Sequence, residues 1–169
     1  MVQIYCGAGK GKSTAAIGLT VRAAGRGLRV VFAQFLKSGD SGERMVLAQL
    51  PTVTLLEVPQ TMKFTFAMDE AERAAEAVRQ ASLLHRALEL ACQADMLVLD
   101  ELCAALNSGM VSLDEVTAFL DSRPAALEVV ITGREPHPAL LERADYITEM
   151  KKIRHPFDQG VRARQGIEW

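Results

Sequence analysis

Six short apolar runs, each about five to eight residues long and separated by segments of helix length, limit this chain more than any other feature. They are "VQIYC" (2–6), "LRVVFAQF" (28–35), "VTLLEV" (53–58), "ADMLVLD" (94–100), "LEVVITG" (127–133) and "ADYITEM" (144–150). Each has the length of a strand crossing a domain core, and their near-continuous Val, Ile and Leu content suits strands buried on both faces. Alternation of such strands with helical patterns is how a parallel sheet covered by helices appears in sequence. The expected class is therefore α/β, with a mostly parallel central sheet of about six strands and helices on both faces.

Two of the helices announce themselves by their caps. "DEAE" at Asp69 places Glu72 three residues after a capping aspartate, a variant of the capping box. Ala71, Ala74, Val78, Ala81, Leu84, Leu88 and Ala91 then recur at three- and four-residue spacing, which predicts an apolar stripe packed on the sheet. "SLDE" at Ser112 repeats the capping logic for a helix running to about Ser122, stopped by Pro124. Between them, "PQTMKFTF" (59–66) reads as an irregular loop carrying two phenylalanines as candidates for exposure.

The stretch "YCGAGKGKST" (5–14) lies between the first predicted strand and a predicted helix. The standard phosphate-loop pattern, Gly-x-x-x-x-Gly-Lys-Ser/Thr, fits Gly11, Lys12 and Ser13 but asks for glycine where this chain has Cys6. Counted from Gly7, the loop is one residue short. Its composition still suits phosphate: Gly7, Gly9 and Gly11 remove Cβ atoms, so backbone amides from Gly7 through Ala8 to Gly11 can turn toward phosphate oxygens. Lys12 supplies a cation, and the following helix presents its positive N-terminal end. Ser13 offers a hydroxyl to Mg²⁺ (or Mn²⁺), with Thr14 as a nearby substitute. Lys10 reads either as a solvated loop lysine or as a further contact to ATP.

A nucleotide site also needs an acid at the end of an apolar strand, and "MLVLDE" supplies Asp100 and Glu101. A carboxylate there can hold the metal directly or through water. The pair alone does not separate hydrolysis from another transfer. Loop and acid together specify the fold further, as one like the P-loop NTPases.

Composition closes other routes. At 169 residues one domain, 1–169, is expected, and 49% hydrophobic with 24% charged residues is ordinary for a globular protein. A net charge of -2 gives no global reason to bind nucleic acid or an anionic membrane. No apolar run approaches the roughly 20 residues of a membrane span, and the N-terminus shows no secretory signal, so a cytoplasmic protein is expected. Cys6, Cys92 and Cys103 are expected to be buried free thiols, and the scattered His85, His137 and His155 suggest no zinc site.

Taken in order, "GAGKGKST", "AQFLKSG" with "GER" just after, "KFTF", "VLDEL", "VVITGR", "ADYITEM" and the terminal "HPFDQGVRARQGIEW" resemble, in sequence and spacing, the P-loop ATP:corrinoid adenosyltransferases. These are the cob(I)alamin or cob(I)yrinic acid a,c-diamide adenosyltransferases of cobalamin synthesis and salvage. The resemblance covers essentially the whole chain, and the family's loop has the same compact Gly-x-Gly-x-Gly-Lys form. It implies attack by a cobalt(I) corrinoid on C5′ of ATP, with inorganic triphosphate expelled. Cobalt(I) is already a strong nucleophile, so no general base is required; the protein must align the reactants, stabilise the leaving group and exclude water.

By the same resemblance, Lys12 serves catalysis, Ser13, Asp100 and Glu101 hold the metal, and Phe64 and Phe66 of "KFTF" leave cobalt(II) four-coordinate so that it can be reduced. The family pattern has tryptophan at the place of Phe66. Gln34, Lys37, Glu43 and Arg44 follow the second strand, where loops at strand carboxyl ends line the site, and are carried over as corrinoid contacts. Arg134 is a candidate contact to ATP phosphate or corrin amides, or a surface ion-pair partner. The tail, with a local excess of Lys and Arg, either folds near the nucleotide or is solvated. An electron donor such as a flavodoxin or reduced flavin and a homodimer are also implied. Many members begin with an additional N-terminal helical segment, and its absence from this chain is expected to matter for the dimer. The alternatives are a P-loop ATPase or small-molecule kinase, and a non-catalytic nucleotide- and corrinoid-binding module.

Overall fold

The computed structural model describes residues 1–63 and 65–168. Six strands, β1 (Val2–Cys6), β2 (Val30–Gln34), β3 (Val53–Leu55), β4 (Met96–Asp100), β5 (Glu128–Thr132) and β6 (Tyr146–Glu149), form one sheet in the order β3-β2-β4-β5-β1-β6. Every pairing in it is parallel.

Alternate residues of each inner strand face opposite layers, because successive strand side chains point to opposite faces. Val31 and Ala33 of β2, Leu97 and Leu99 of β4, and Val129 and Ile131 of β5 enter one core. Their neighbours Val30, Phe32, Met96, Val98 and Val130 enter the other. The first layer is covered by α3 (Glu70–Ala91), α4 (Leu102–Asn107), α5 (Leu113–Ser122) and α6 (Pro138–Leu141), which contribute Leu84, Leu102, Leu120 and Leu140. The second is covered by α1 (Lys12–Ala24) and α2 (Gly42–Leu47), through Ala16, Ala23 and Leu47. Each fully buried Leu, Ile or Phe contributes about 1.5–3 kcal/mol of transfer free energy, so the two layers hold the sheet from both sides.

Both expected caps are present. Asp69 accepts from the Glu72 amide while Glu72 accepts from the Asp69 amide, and Ser112 accepts from the Glu115 amide. The stripe expected on α3 is shifted. Ala71, Ala74 and Val78 are exposed, whereas Glu76, Gln80, Leu84, Ala87 and Ala91 are buried. Gln80 is drawn inward because its side-chain oxygen accepts from the Leu36 amide (3.2 Å), and its amide donates to Glu76. Satisfying an otherwise lost backbone donor outweighs the preference for an apolar residue there.

Cys6 and Cys103 are buried, as expected, but Cys92 is exposed because it lies past the last buried turn of α3. Burial pushes the Cys103 thiol up to about 12. Among the described residues no helix is long and apolar enough to cross a membrane.

Candidate functional site

The candidate site residues and the loop follow the carboxyl ends of neighbouring strands, the region where open parallel sheets bind ligands. β2 ends at Gln34 and β4 at Asp100, β5 is followed by Arg134, β1 runs into the loop, and β6 is followed by Met150. The loop therefore stands between the β2/β4 end and the chain that leaves β6.

Cys6 belongs to the sheet. It pairs with Glu149, and its carbonyl accepts from the Met150 amide (2.8 Å). The glycine-requiring turn starts only at Gly7, with φ +96°, so the position that the longer pattern gives to glycine is ordinary strand here. The chain leaving β6 presses on the loop: a Cβ on Gly7 or Gly9 would stand 2.7 or 2.5 Å from the Met150 carbonyl oxygen. That contact alone excludes any larger residue.

The loop amides are divided between protein and ligand space. Gly7 N donates to Arg134 O (2.9 Å) and Gly9 N to Met150 O (2.6 Å), so these two expected phosphate donors are already engaged. The first-turn amides of α1 have no intrahelical acceptor and are the available donors. Lys12 is only 8% exposed, and its ammonium donates to Gly7 O (2.9 Å) and Gly9 O (2.8 Å). Burial pushes its pKa below the ordinary lysine value, with Glu101 the strongest opposing charge. Ala8 through Thr14 share a cavity of about 310 Å³ with Glu101, Arg134 and the tail residues His155, Ile167 and Glu168.

Asp100 is fully buried and does not line that cavity. Its Oδ1 accepts from Thr132 Oγ1 (2.7 Å); Oδ2 lies 3.3 Å from Gln34 Nε2 and 3.7 Å from Lys37 Nζ. Glu101 does face the cavity, from a left-handed backbone conformation (φ +59°) that is uncommon for a side chain of this kind. Its amide donates to Thr132 Oγ1 (2.9 Å), which fixes the turn. Burial and then the Asp100 charge raise the Glu101 pKa above the usual carboxylate value. Ser13 and Glu101 thus put hard oxygen donors on the same cavity, with the buried Asp100 next to Glu101 in sequence. Such a set fits Mg²⁺ or Mn²⁺, which takes one or two protein carboxylates beside phosphate oxygens and water.

The four residues after β2 form one network. Gln34 Nε2 donates to Glu43 (3.1 Å), Lys37 Nζ to Glu43 (2.7 Å), Arg44 Nη1 to Gln34 Oε1 (2.9 Å), and Arg44 Nη2 to Leu56 O (2.8 Å). Burial pushes the Glu43 carboxyl up, but the hydrogen bond and charge of Lys37 outweigh it and bring its pKa down to about 2. Gln34 has no exposed surface; it works through its neighbours, while Lys37 and Glu43 keep part of theirs.

Phe66 lies in a 3-10 turn, Thr65–Ala67, and is 85% exposed. Arg73 of α3 ties that turn down by donating to Thr65 O (3.2 Å). Phe64, the other aromatic candidate, lies outside the described residues. A separate cavity of about 390 Å³ between the end of β3 and α3 contains none of the loop residues.

The tail beyond β6 carries the main contribution that local sequence patterns left open. It turns back at Pro156–Gln159, where His155 accepts from the Phe157 amide (3.2 Å), and reaches the loop cavity. The signal that points to it is the Gly-x-Gly spacing, since both glycines are needed where the chain after β6 crosses the loop.

Comparison with known proteins identifies the relatives. All of residues 1–169 match the family described as ATP:corrinoid adenosyltransferase BtuR/CobO/CobP. The chain belongs to the ATP:corrinoid adenosyltransferase family. It is 36% identical to the corrinoid adenosyltransferase of Pseudomonas aeruginosa, the alignment covering 98% of this chain and 82% of that one. It is 35% identical to that of Escherichia coli (strain K12), over 100% of this chain and 85% of the relative. It is 37% identical to the corrinoid adenosyltransferase CobA of Salmonella typhimurium (strain LT2), with the same coverage. Among solved structures, domain III of the Thermotoga maritima replication initiation protein DnaA is similar at 13% identity and a TM-score of 0.47, over 88% of this chain and 54% of that one; the likeness is too loose to bear on this site. This adenosyltransferase family membership fixes the type of enzyme.

Proposed function

We propose that the protein joins the 5′-deoxyadenosyl group of ATP to the cobalt(I) of a corrinoid, cobalamin or cobyrinic acid a,c-diamide, and releases triphosphate. The observation that supports this reading is the loop cavity, which Lys12, Ser13 and Glu101 line together in a chain matching the family from end to end. The electron pair of cobalt(I) forms the cobalt–carbon bond. The C5′–O bond breaks, its electrons leave with the triphosphate, and cobalt becomes formally cobalt(III).

Charge thus accumulates on the leaving phosphates. Lys12, the first-turn amides of α1 and Arg134 meet it, and removing one such preorganised group costs about 10²–10³ in rate. Mg²⁺ held by Ser13 and Glu101, with Asp100 supporting, neutralises phosphate charge when bound. Lys37, Glu43 and Arg44 face the corrinoid amides, and Gln34 keeps them in place. By the resemblance of "KFTF" to the family, Phe64 and Phe66 serve to leave cobalt(II) four-coordinate, since an apolar ring cannot ligate cobalt and excludes water. A reduced flavin or flavodoxin supplies the electron, one domain spans 1–169, and the working unit is a homodimer; these rest on the resemblance of the motifs to the family.

The released product tests the reading. With Mg-ATP and chemically reduced cobalamin, triphosphate and a light-sensitive alkylcobalt spectrum are expected. ADP and phosphate would instead establish a phosphoryl-transfer enzyme, and the absence of any product a binding module. Run from cobalt(II) with a mild reductant, the same assay should lose more rate for Phe66→Ala than it does from pre-formed cobalt(I); equal losses would remove Phe66 from the reduction step.

A further inference from the structure

Strand β2 ends in a turn that the sheet itself does not hold. Phe35 N still donates to Asp100 O at the end of β4 (2.9 Å), but Leu36 then enters the left-handed region at φ +50°, which a side chain of this kind adopts at a cost. Its part-buried amide has left the ladder and needs an acceptor elsewhere. A helix supplies it: Gln80 Oε1 of α3 accepts from Leu36 N at 3.2 Å.

Gln80 is only 2% exposed, and so is Glu76, one helical turn before it. Gln80 Nε2 donates to Glu76 Oε1 (2.5 Å), and Arg79 Nη1 meets Glu76 Oε2 at 2.8 Å. A carboxylate only accepts, so Glu76 compels the Gln80 amide nitrogen to face it and leaves the Gln80 oxygen to face Leu36. One buried charge, balanced by Arg79, thereby sets the direction of the whole chain of bonds. Neither Glu76 nor Gln80 lines the cavity around Lys12. An apolar pair of similar volume would often be as stable on this face, so burial alone gives no reason for a polar pair here.

The residue that the turn delivers is Lys37, whose ammonium lies 2.7 Å from Glu43 Oε1 and 3.7 Å from Asp100 Oδ2. We propose that Glu76 and Gln80 are positioning residues: by holding the Leu36 amide they fix the turn from which Lys37 reaches Glu43 and Asp100, and so fix the face that meets the corrinoid. The consequence for the corrinoid rests on the adenosyltransferase reading; the chain of bonds from Arg79 to Leu36 does not. Once the Leu36 amide is released, the turn relaxes toward an ordinary backbone conformation and the Lys37 ammonium leaves its two carboxylates. The phosphate loop follows β1, which β4 and β5 separate from β2, so ATP binding is disturbed less than corrinoid binding.

Exchanging the two side-chain chemistries tests this. Gln80→Glu sets a second carboxylate against Glu76 with no donor between them. The KM for the corrinoid should rise about tenfold, because a small displacement of a positioned group costs at least that much, while the KM for ATP stays nearly unchanged. Glu76→Gln combined with Gln80→Glu again provides one amide and one carboxylate, with an acceptor beside Leu36, and should recover the corrinoid KM. Hydrogen exchange at the Leu36 amide, followed by NMR, should keep the same order: slow in the wild type, fast in Gln80→Glu, slow again in the double variant. Gln80→Met keeps the volume, lacks the acceptor and adds no charge; it should match Gln80→Glu in both measurements even if the latter folds poorly. A plain loss of stability would lower the active fraction and leave both KM values alone. Unchanged Leu36 exchange in Gln80→Met, a double variant no better than Gln80→Glu, or faster exchange without a change in corrinoid KM would each overturn the proposal. If the product assay yields ADP while Leu36 exchange still keeps this order, the adenosyl-transfer reading fails and the hold on the turn stands.

Discussion

Lys37 and Glu43, at the β2 end of the site, and Lys152 and Asp158, in the tail beyond β6, form ion pairs of similar length, 2.7 and 2.9 Å. Their surroundings differ. The first pair is 28% and 16% exposed, and is bonded onward to Gln34, Arg44 and buried Asp100. The second is 39% and 52% exposed. An exposed pair gains little, because water screens it and two long side chains lose freedom to make it. A pair set in a satisfied, part-buried network resists opening, since removing one partner strands the others. Equal geometry therefore describes a fixed network at the β2 end and a yielding pair at the tail.

The severest challenge to this contrast is to remove the loop cation that stands between the two ends. Lys12→Ala should lower kcat for adenosyl transfer by about 10²–10³, with the thermal transition of the free protein measured alongside to separate lost chemistry from loss of the two loop bonds. Among the described residues the lysine ammonium donates to Gly7 O and Gly9 O, both within the loop. A loss under tenfold would mean that the ends, and not the loop, carry the leaving-group charge.

A smaller effect separates the ends by pH. The Glu43 carboxyl is depressed from 4.5 to about 2 in the folded protein, so the folded state binds fewer protons than the unfolded one between those values. Its contribution is complete above about pH 4.5 and is lost as pH falls toward 2. Discounted for solvent screening, it amounts to about 1–2 kcal/mol. Urea unfolding of Glu43→Gln should show a flatter acid limb than that of the wild type over this window. Parallel acid limbs would place the network's stability elsewhere.

How far these two ends were legible in the sequence follows from the distance over which each is built. Strand β1 occupies the residues of its apolar run, and both capped helices start where their caps require, because those signals act within four residues. Strand β3 is shorter than its run, ending at Leu55; as an edge strand it has only β2 to pair with. The inward turn of Gln80 could not be read from hydropathy, since its partner amide belongs to Leu36, on another element. Lys12, Ser13 and Glu101 reach one cavity from motifs that name them directly. The tail's sequence left two alternatives, near the nucleotide or in solvent, because its cations are spread along an irregular segment; the Gly-x-Gly spacing, needed where the chain crosses at Met150, is the signal that decides between them.

The finest test compares the two ion pairs by the same measurement. A double-mutant cycle on Lys152 and Asp158, with each replaced by alanine singly and together, should give a coupling of at most about 0.5 kcal/mol, fading in salt over the roughly 10 Å screening length at 0.1 M. The same cycle on Lys37 and Glu43 should give a larger value that salt diminishes less, because that pair is less exposed and hydrogen-bonded onward. The sign of the difference matters more than either number, since pairwise cycles at Glu43 also register the bonds left open at Gln34 and Arg44. Equal couplings with equal salt dependence would show that network membership adds nothing. The contrast would then reduce to ordinary surface pairing.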